Sequence, residues 1–159
     1  MTVSSPYVFE ISLHRHPREH LAEGLAHTDT WGTWPTVIVP HEMLAMPLTI
    51  SFDEAIDRLS RLERMYAEPD GSFVWVSPRE GLSWQVDGNV FDRDGRVVLV
   101  DMKGSCPPAA FDQLLSCFGW PAEQLLFQLV RSAVFLTEPV FRRHAGAQGL
   151  VRSGQDIRS

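Results

Sequence analysis

The sequence predicts an α+β domain: an antiparallel sheet of about four to five strands with helices packed mainly on one face. Three observations carry this. Residues 7–13 alternate apolar and polar, an amphipathic helix pattern opens at Ser51, and three β-rich runs between residues 73 and 103 are joined by short turns. At 159 residues the chain holds one domain. That domain is expected over 1–141, with 142–159, polar and rich in Gly, Ser and Arg, as a mobile tail.

In Tyr7 to Leu13 the odd positions Tyr7, Phe9, Ile11 and Leu13 are apolar, while Glu10, Ser12, His14 and His16 take the other face. Residues 17–35 show no sustained period and read as a loop containing Trp31-Gly-Thr-Trp34-Pro35, with room for one helical turn. Thr36 to Val39 is a short strand stopped by Pro40. From Ser51 to Ala67, Phe52, Ala55, Ile56, Leu59, Leu62 and Tyr66 form one helical stripe. Ser51 and Glu54 make a capping box, and Glu54–Arg58 and Asp57–Arg61 are i,i+4 ion pairs. Pro69-Asp70-Gly71 ends this helix.

The three-strand meander (73–103) runs Phe73–Ser77, Leu82–Asp92 and Arg96–Lys103. Pro107 and Pro108 open a second helix to Phe118, and a third is expected over 121–136 after Gly119-Trp120-Pro121. The core is expected to unite Leu59, Leu62, Trp84, Val86, Val98 and Val100. The third helix carries apolar residues around most of its circumference, more than one packing face needs. Either the second helix and the sheet cover this surplus or a symmetric partner does; the expectation is a homodimer through helix 121–136, anchored by Phe127 and Phe135.

Composition excludes several classes. Hydrophobic residues make 44% and charged residues 21%, against disorder, collagen-like repeats and coiled-coil rods. The apolar stretch 125–136 is interrupted by Gln128, Arg131 and Ser132, too short for a membrane span. Net charge is −6, and the chain's successive thirds carry −3, −4 and +1, so no basic block offers a nucleic-acid footprint. The segment Met1–Leu13 lacks the basic and apolar regions of a signal peptide, and two cysteines are too few for a disulfide framework, so a cytoplasmic location with free thiols is expected.

Four groups of residues could carry chemistry. A three-residue turn ending at Gly95 would pair Asp92 with Arg96 and place Asp87 opposite Asp101, with Lys103 alongside. Facing carboxylates destabilise a sheet unless a cation, a shared proton or Lys103 offsets them; a bulge at Gly88 or plain solvation would dissolve the conflict. Glu10, His14 and His16 share a strand face, and imidazole with carboxylate is an ordinary divalent-metal ligand set, although solvated histidines on an open face are commoner. Cys106 falls at the expected start of a helix near Lys103, an environment that lowers a thiol pKa, but no histidine is placed locally as base. Trp31 and Trp34, two of five tryptophans in this tryptophan-rich chain, could stack on a sugar or base or else cap the core. The acidic spacing around Asp92-Arg-Asp-Gly95 does not fit a calcium loop, and no P-loop, Rossmann glycine pattern, HExxH or GxSxG is present.

The function expected from these residues is a binding or interaction module with no recognisable catalytic motif and no cofactor. The alternative is a metal-dependent hydrolase or related enzyme holding a divalent metal on the open sheet face through Glu10, His14, His16, Asp87 and Asp101.

Overall fold

Seven strands form one antiparallel sheet in the order β4-β5-β6-β7-β1-β8-β9. The structure, a computed structural model, describes the backbone of residues 5–158 and the side chains of residues 5–151. The strands are β1 (Tyr7–Arg15), β4 (Met65–Ala67), β5 (Ser72–Val76), β6 (Gln85–Arg93), β7 (Arg96–Cys106), β8 (Leu125–Leu129) and β9 (Phe135–Leu136). A separate hairpin of β2 (His27–Asp29) and β3 (Gly32–Trp34) lies between β1 and the first helix. The helices are α1 (His41–Leu44), α2 (Phe52–Ser60), α3 (Pro108–Ser116) and α4 (Glu138–Arg158).

The alternation in β1 sorts the molecule into a dry side and a polar side. Phe9, Ile11 and Leu13 are buried with Val86, Val90, Val100 and Met102 beneath α2, α3 and α4. The Phe9 and Phe111 rings meet edge-on at 5.1 Å, and Phe127 stacks on Phe141 of α4 at 4.4 Å. Arg142 of α4 pairs with Asp112 of α3 at 2.7 Å and with Glu138 at 3.1 Å, tying the two helices over β1. Gly88 is required on β6 opposite Phe73 of β5, because a Cβ there would collide with the Phe73 ring.

The α+β class and the meander stand, but the sheet has seven strands where about four to five are expected. Helix α2 has the anticipated cap, the Ser51 hydroxyl accepting the Glu54 N–H at 3.1 Å, and both ion pairs. It stops at Ser60, short of Ala67. Arg64 sits at φ 60°, and Met65–Ala67 turns back as the edge strand β4 against Phe73–Trp75. Pro69-Asp70-Gly71 is therefore a hairpin turn, closed by the Glu68 N–H donating to the Ser72 carbonyl at 2.9 Å.

The third helix expected over 121–136 is absent; the segment is the β8–β9 hairpin. A short continuous apolar run fits a strand buried on both faces as well as a helix, and here Leu125, Phe127 and Leu129 join the main core while Leu126 is buried on the opposite face. Much of the apolar surplus on which the homodimer expectation rests is buried within the chain, while Val130 stays 44% exposed. Phe127 packs on Phe141, and Phe135 packs on His14 at 5.4 Å. The expected tail is also corrected: residues from 142 continue α4, whose His144 and Ala145 are buried. Among the described residues, no helix is long and apolar enough to cross a membrane.

The expected core is correct at Leu59, Val86 and Val100, whereas Leu62 and Trp84 are only partly buried. Val98 is displaced by Val97, which is fully buried. The β6–β7 turn explains the exchange. Asp94 and Gly95 both have positive φ, 54° and 80°, making a two-residue loop that pairs Arg93 with Arg96. A bulge between Phe91 and Asp92 then leaves Val98 as the extra residue. The turn and the bulge each shift the register by one, so the original faces return beyond Val98.

Candidate functional site

That double shift decides the polar face. Asp87 lies opposite Lys103, and Asp101 opposite Asn89, so the expected Asp87–Asp101 pair becomes a diagonal on one face. Lys103 in turn lies opposite Glu10, and Asp101 opposite Ser12. Two rows result, Asp87–Lys103–Glu10 and Asn89–Asp101–Ser12–Gln128. Charge alternates in the first row, which removes the repulsion expected from facing acids.

Contacts along these rows are specific. The Ser12 hydroxyl donates to Asp101 Oδ1 at 2.5 Å, Gln85 Nε2 donates to Asp87 Oδ1 at 2.8 Å, and Glu10 meets Arg131 at 3.6 Å. His14 is buried on this face, its Nε2 at 3.1 Å from Gln128 Oε1 and its Nδ1 without a partner. Burial lowers its pKa, against a smaller upward pull from Gln128 and the Asp101 charge, which favours the neutral ring. His16 leaves the row, its Nδ1 at 2.5 Å from the Pro17 carbonyl. Glu10, His14, Asp87 and Asp101 thus share a face without converging. Residues four apart on a strand are separated by about 13 Å, too far for backbone positions such as 10 and 14 to close on one ion. Among the described residues, no three His, Cys, Asp or Glu side chains are grouped to hold a metal.

Cys106 ends β7 instead of opening a helix and points into the core, on the face opposite Lys103. Burial, with the Asp112 charge adding to it, pushes its thiol up to about 12, the opposite of nucleophile activation. Burial likewise raises Cys117 to about 11. Trp31 and Trp34 belong to the β2–β3 hairpin, which docks on α4. Asp29 organises that contact by accepting the Trp31 N–H at 2.9 Å and the Trp34 indole N–H at 3.0 Å on Oδ1, with His144 Nε2 at 2.8 Å from Oδ2. Both indoles meet the His144 ring edge-on, and Trp34 is buried, so it caps the core. Sequence reasoning missed His144; the spacing of Val140, Phe141, His144 and Ala145 is a helical stripe that could have revealed it.

The polar face has two unlike halves. Around β1 and β8 it is closed, with Val8 and Leu126 buried outside the main core. Across β4 to β7 it is open: Tyr66 is 59% exposed, Val74 36% and Phe91 42%, interleaved with exposed Gln85, Asp87 and Lys103. The open half ends in a cleft of about 520 Å³ under the 77–84 connection, lined by residues including Arg64, Ser77, Arg79, Trp84 and Ser105. An apolar hollow of about 390 Å³ lies at the far sheet edge between Leu25, Ile38, Val134 and Phe135. No protein-family model, curated protein or solved structure matches this chain.

Proposed function

We propose that this chain is a binding module whose ligand surface is the open half of the sheet across β4–β7, together with the cleft at its end. The observation that carries this reading is the exposure of Tyr66, Val74 and Phe91 on a sheet face opposite the helix layer, interleaved with Gln85, Asp87 and Lys103. Aromatic anchors within a polar frame are the ordinary make-up of a recognition surface. The two buried free thiols suit a reducing compartment, which supports a cytoplasmic placement.

The test uses phenol as an aromatic probe of isotope-labelled protein. Amide shifts are expected to cluster on Tyr66, Val74, Asp87, Phe91 and Lys103. Shifts confined to the helix layer or to the Leu25–Ile38 edge would overturn the reading. Metal-dependent hydrolysis is disfavoured by the spread of Glu10, His14 and Asp101 along the face and by their existing partners. Stoichiometric zinc, manganese or iron in untagged protein, lost on His14→Ala, would reinstate it.

A further inference from the structure

We infer that the cleft under the 77–84 connection binds a small organic anion, a phosphate monoester or carboxylate borne on a flat aromatic ring. This rests on the binding-module reading and names the ligand class for one end of that surface. The electrostatics of the lining come first. In a chain of net charge −6, the cleft is lined by two arginines, Arg64 and Arg79, and by no acidic residue. Asp87, on the neighbouring row, is already engaged by the Gln85 amide at 2.8 Å. Among the described residues, neither arginine has a carboxylate within 4.0 Å.

Arg64 is held in place. Its backbone takes a left-handed φ of 60°, unusual for a side chain-bearing residue, and its carbonyl accepts the Val76 N–H at 3.2 Å. Its Nη1 donates to the Ser77 carbonyl, leaving the other guanidinium N–H groups for an oxyanion. A guanidinium fixed this way loses little freedom on binding, and its fork matches carboxylate and phosphate geometry. Ser83 and Ser105 add hydroxyl donors. Trp84, half-buried and edge-on to Trp75 at 4.9 Å, supplies a flat apolar wall for a ring. The volume of about 520 Å³ lies within the range of small-molecule sites.

Phenyl phosphate, benzoate and uncharged benzamide are titrated into the full chain, following the Trp84 indole N–H and the Ser77, Ser83 and Ser105 amides by NMR. Both anions are expected to saturate these signals and to weaken with added salt, and whichever binds tighter identifies the head group. Arg79→Gln, an exposed position, should weaken binding about tenfold or more, as should Arg64→Gln. Arg131→Gln, on an exposed arginine near Glu10, should leave it unchanged. Should Arg64→Gln fail to fold, Arg79→Gln still decides. Equal binding of benzamide, or anion binding indifferent to Arg79→Gln, overturns the anion inference while leaving the module reading intact. Failure of all three probes to shift these signals also overturns it, whereas failure of the module reading would show in the phenol map.

Discussion

The two faces of the sheet are built by the same strands and do opposite work. Under the helices, Tyr7, Phe9, Phe111, Phe127 and Phe141 form one connected aromatic cluster. On the reverse face the same strands carry alternating charges and hydroxyls, with Tyr66, Val74 and Phe91 exposed. Stability is concentrated where water is excluded, and the polar face across β4–β7 is left comparatively free of packing. The largest test of that division compares two phenylalanines. Phe111→Ala, at a site with no exposure, should cost about 3–5 kcal/mol in urea unfolding. Phe91→Ala, 42% exposed, should stay within about 0.5 kcal/mol. Equal losses would show that both faces are structural.

The division was legible in the sequence wherever a strand kept its period. Phe9, Ile11 and Leu13 announce the dry side by alternation, and Ser51 with Glu54 marks the start of α2. Legibility failed where both faces of a segment are buried. Leu125, Phe127 and Leu129 enter the main core while Leu126 is buried on the opposite face, so this run of apolar residues lacks the contrast that distinguishes strand from helix. It failed again where one residue changes the register: nothing local marks Val98 as the bulge that decides which groups face Asp101. The cleft was invisible because Arg64, Arg79 and Trp84 come from separate segments.

Within the helix layer, polar contacts also differ from those outside. Burial alone would raise the Asp29 carboxyl, but hydrogen bonds from Trp34, His144 and the Trp31 amide outweigh it and leave the pKa below the ordinary range. The sign follows from that direction. A carboxylate depressed by folding contributes stability that is present above its unfolded pKa of about 3.9 and is lost as pH falls through the folded value. Asp29→Asn keeps an Oδ1 acceptor for the two N–H donors and loses the charge, so it should cost about 1 kcal/mol near neutrality, the difference between hydrogen bonds to a charged and to a neutral group. The gap from the parent protein should close as acid protonates Asp29, as followed by urea unfolding from pH 6 downward. A constant gap across that range would mean that side-chain shape, and not charge, holds the β2–β3 hairpin on α4.

The smallest effect tests the open face itself. Asp87 and Lys103 are directly opposed and both exposed, and Asp87 already accepts the Gln85 amide. Opposite charges across a sheet contribute about 0.2–1 kcal/mol, and solvent exposure pushes this pair to the lower end. A double-mutant cycle with Asp87→Ala and Lys103→Ala should give a small coupling that vanishes near 1 M salt, where screening acts within about 3 Å. The Ser12–Asp101 pair one row away supplies the contrast. Both residues are half-buried and joined at 2.5 Å, so the coupling from Ser12→Ala and Asp101→Asn should be larger and less sensitive to salt. Since both pairs lie on one face, a difference between their couplings reports the change from the β6–β7 pairing inside the open half to the β7–β1 boundary with the closed half. Equal couplings would erase that boundary and extend the proposed binding surface to β1.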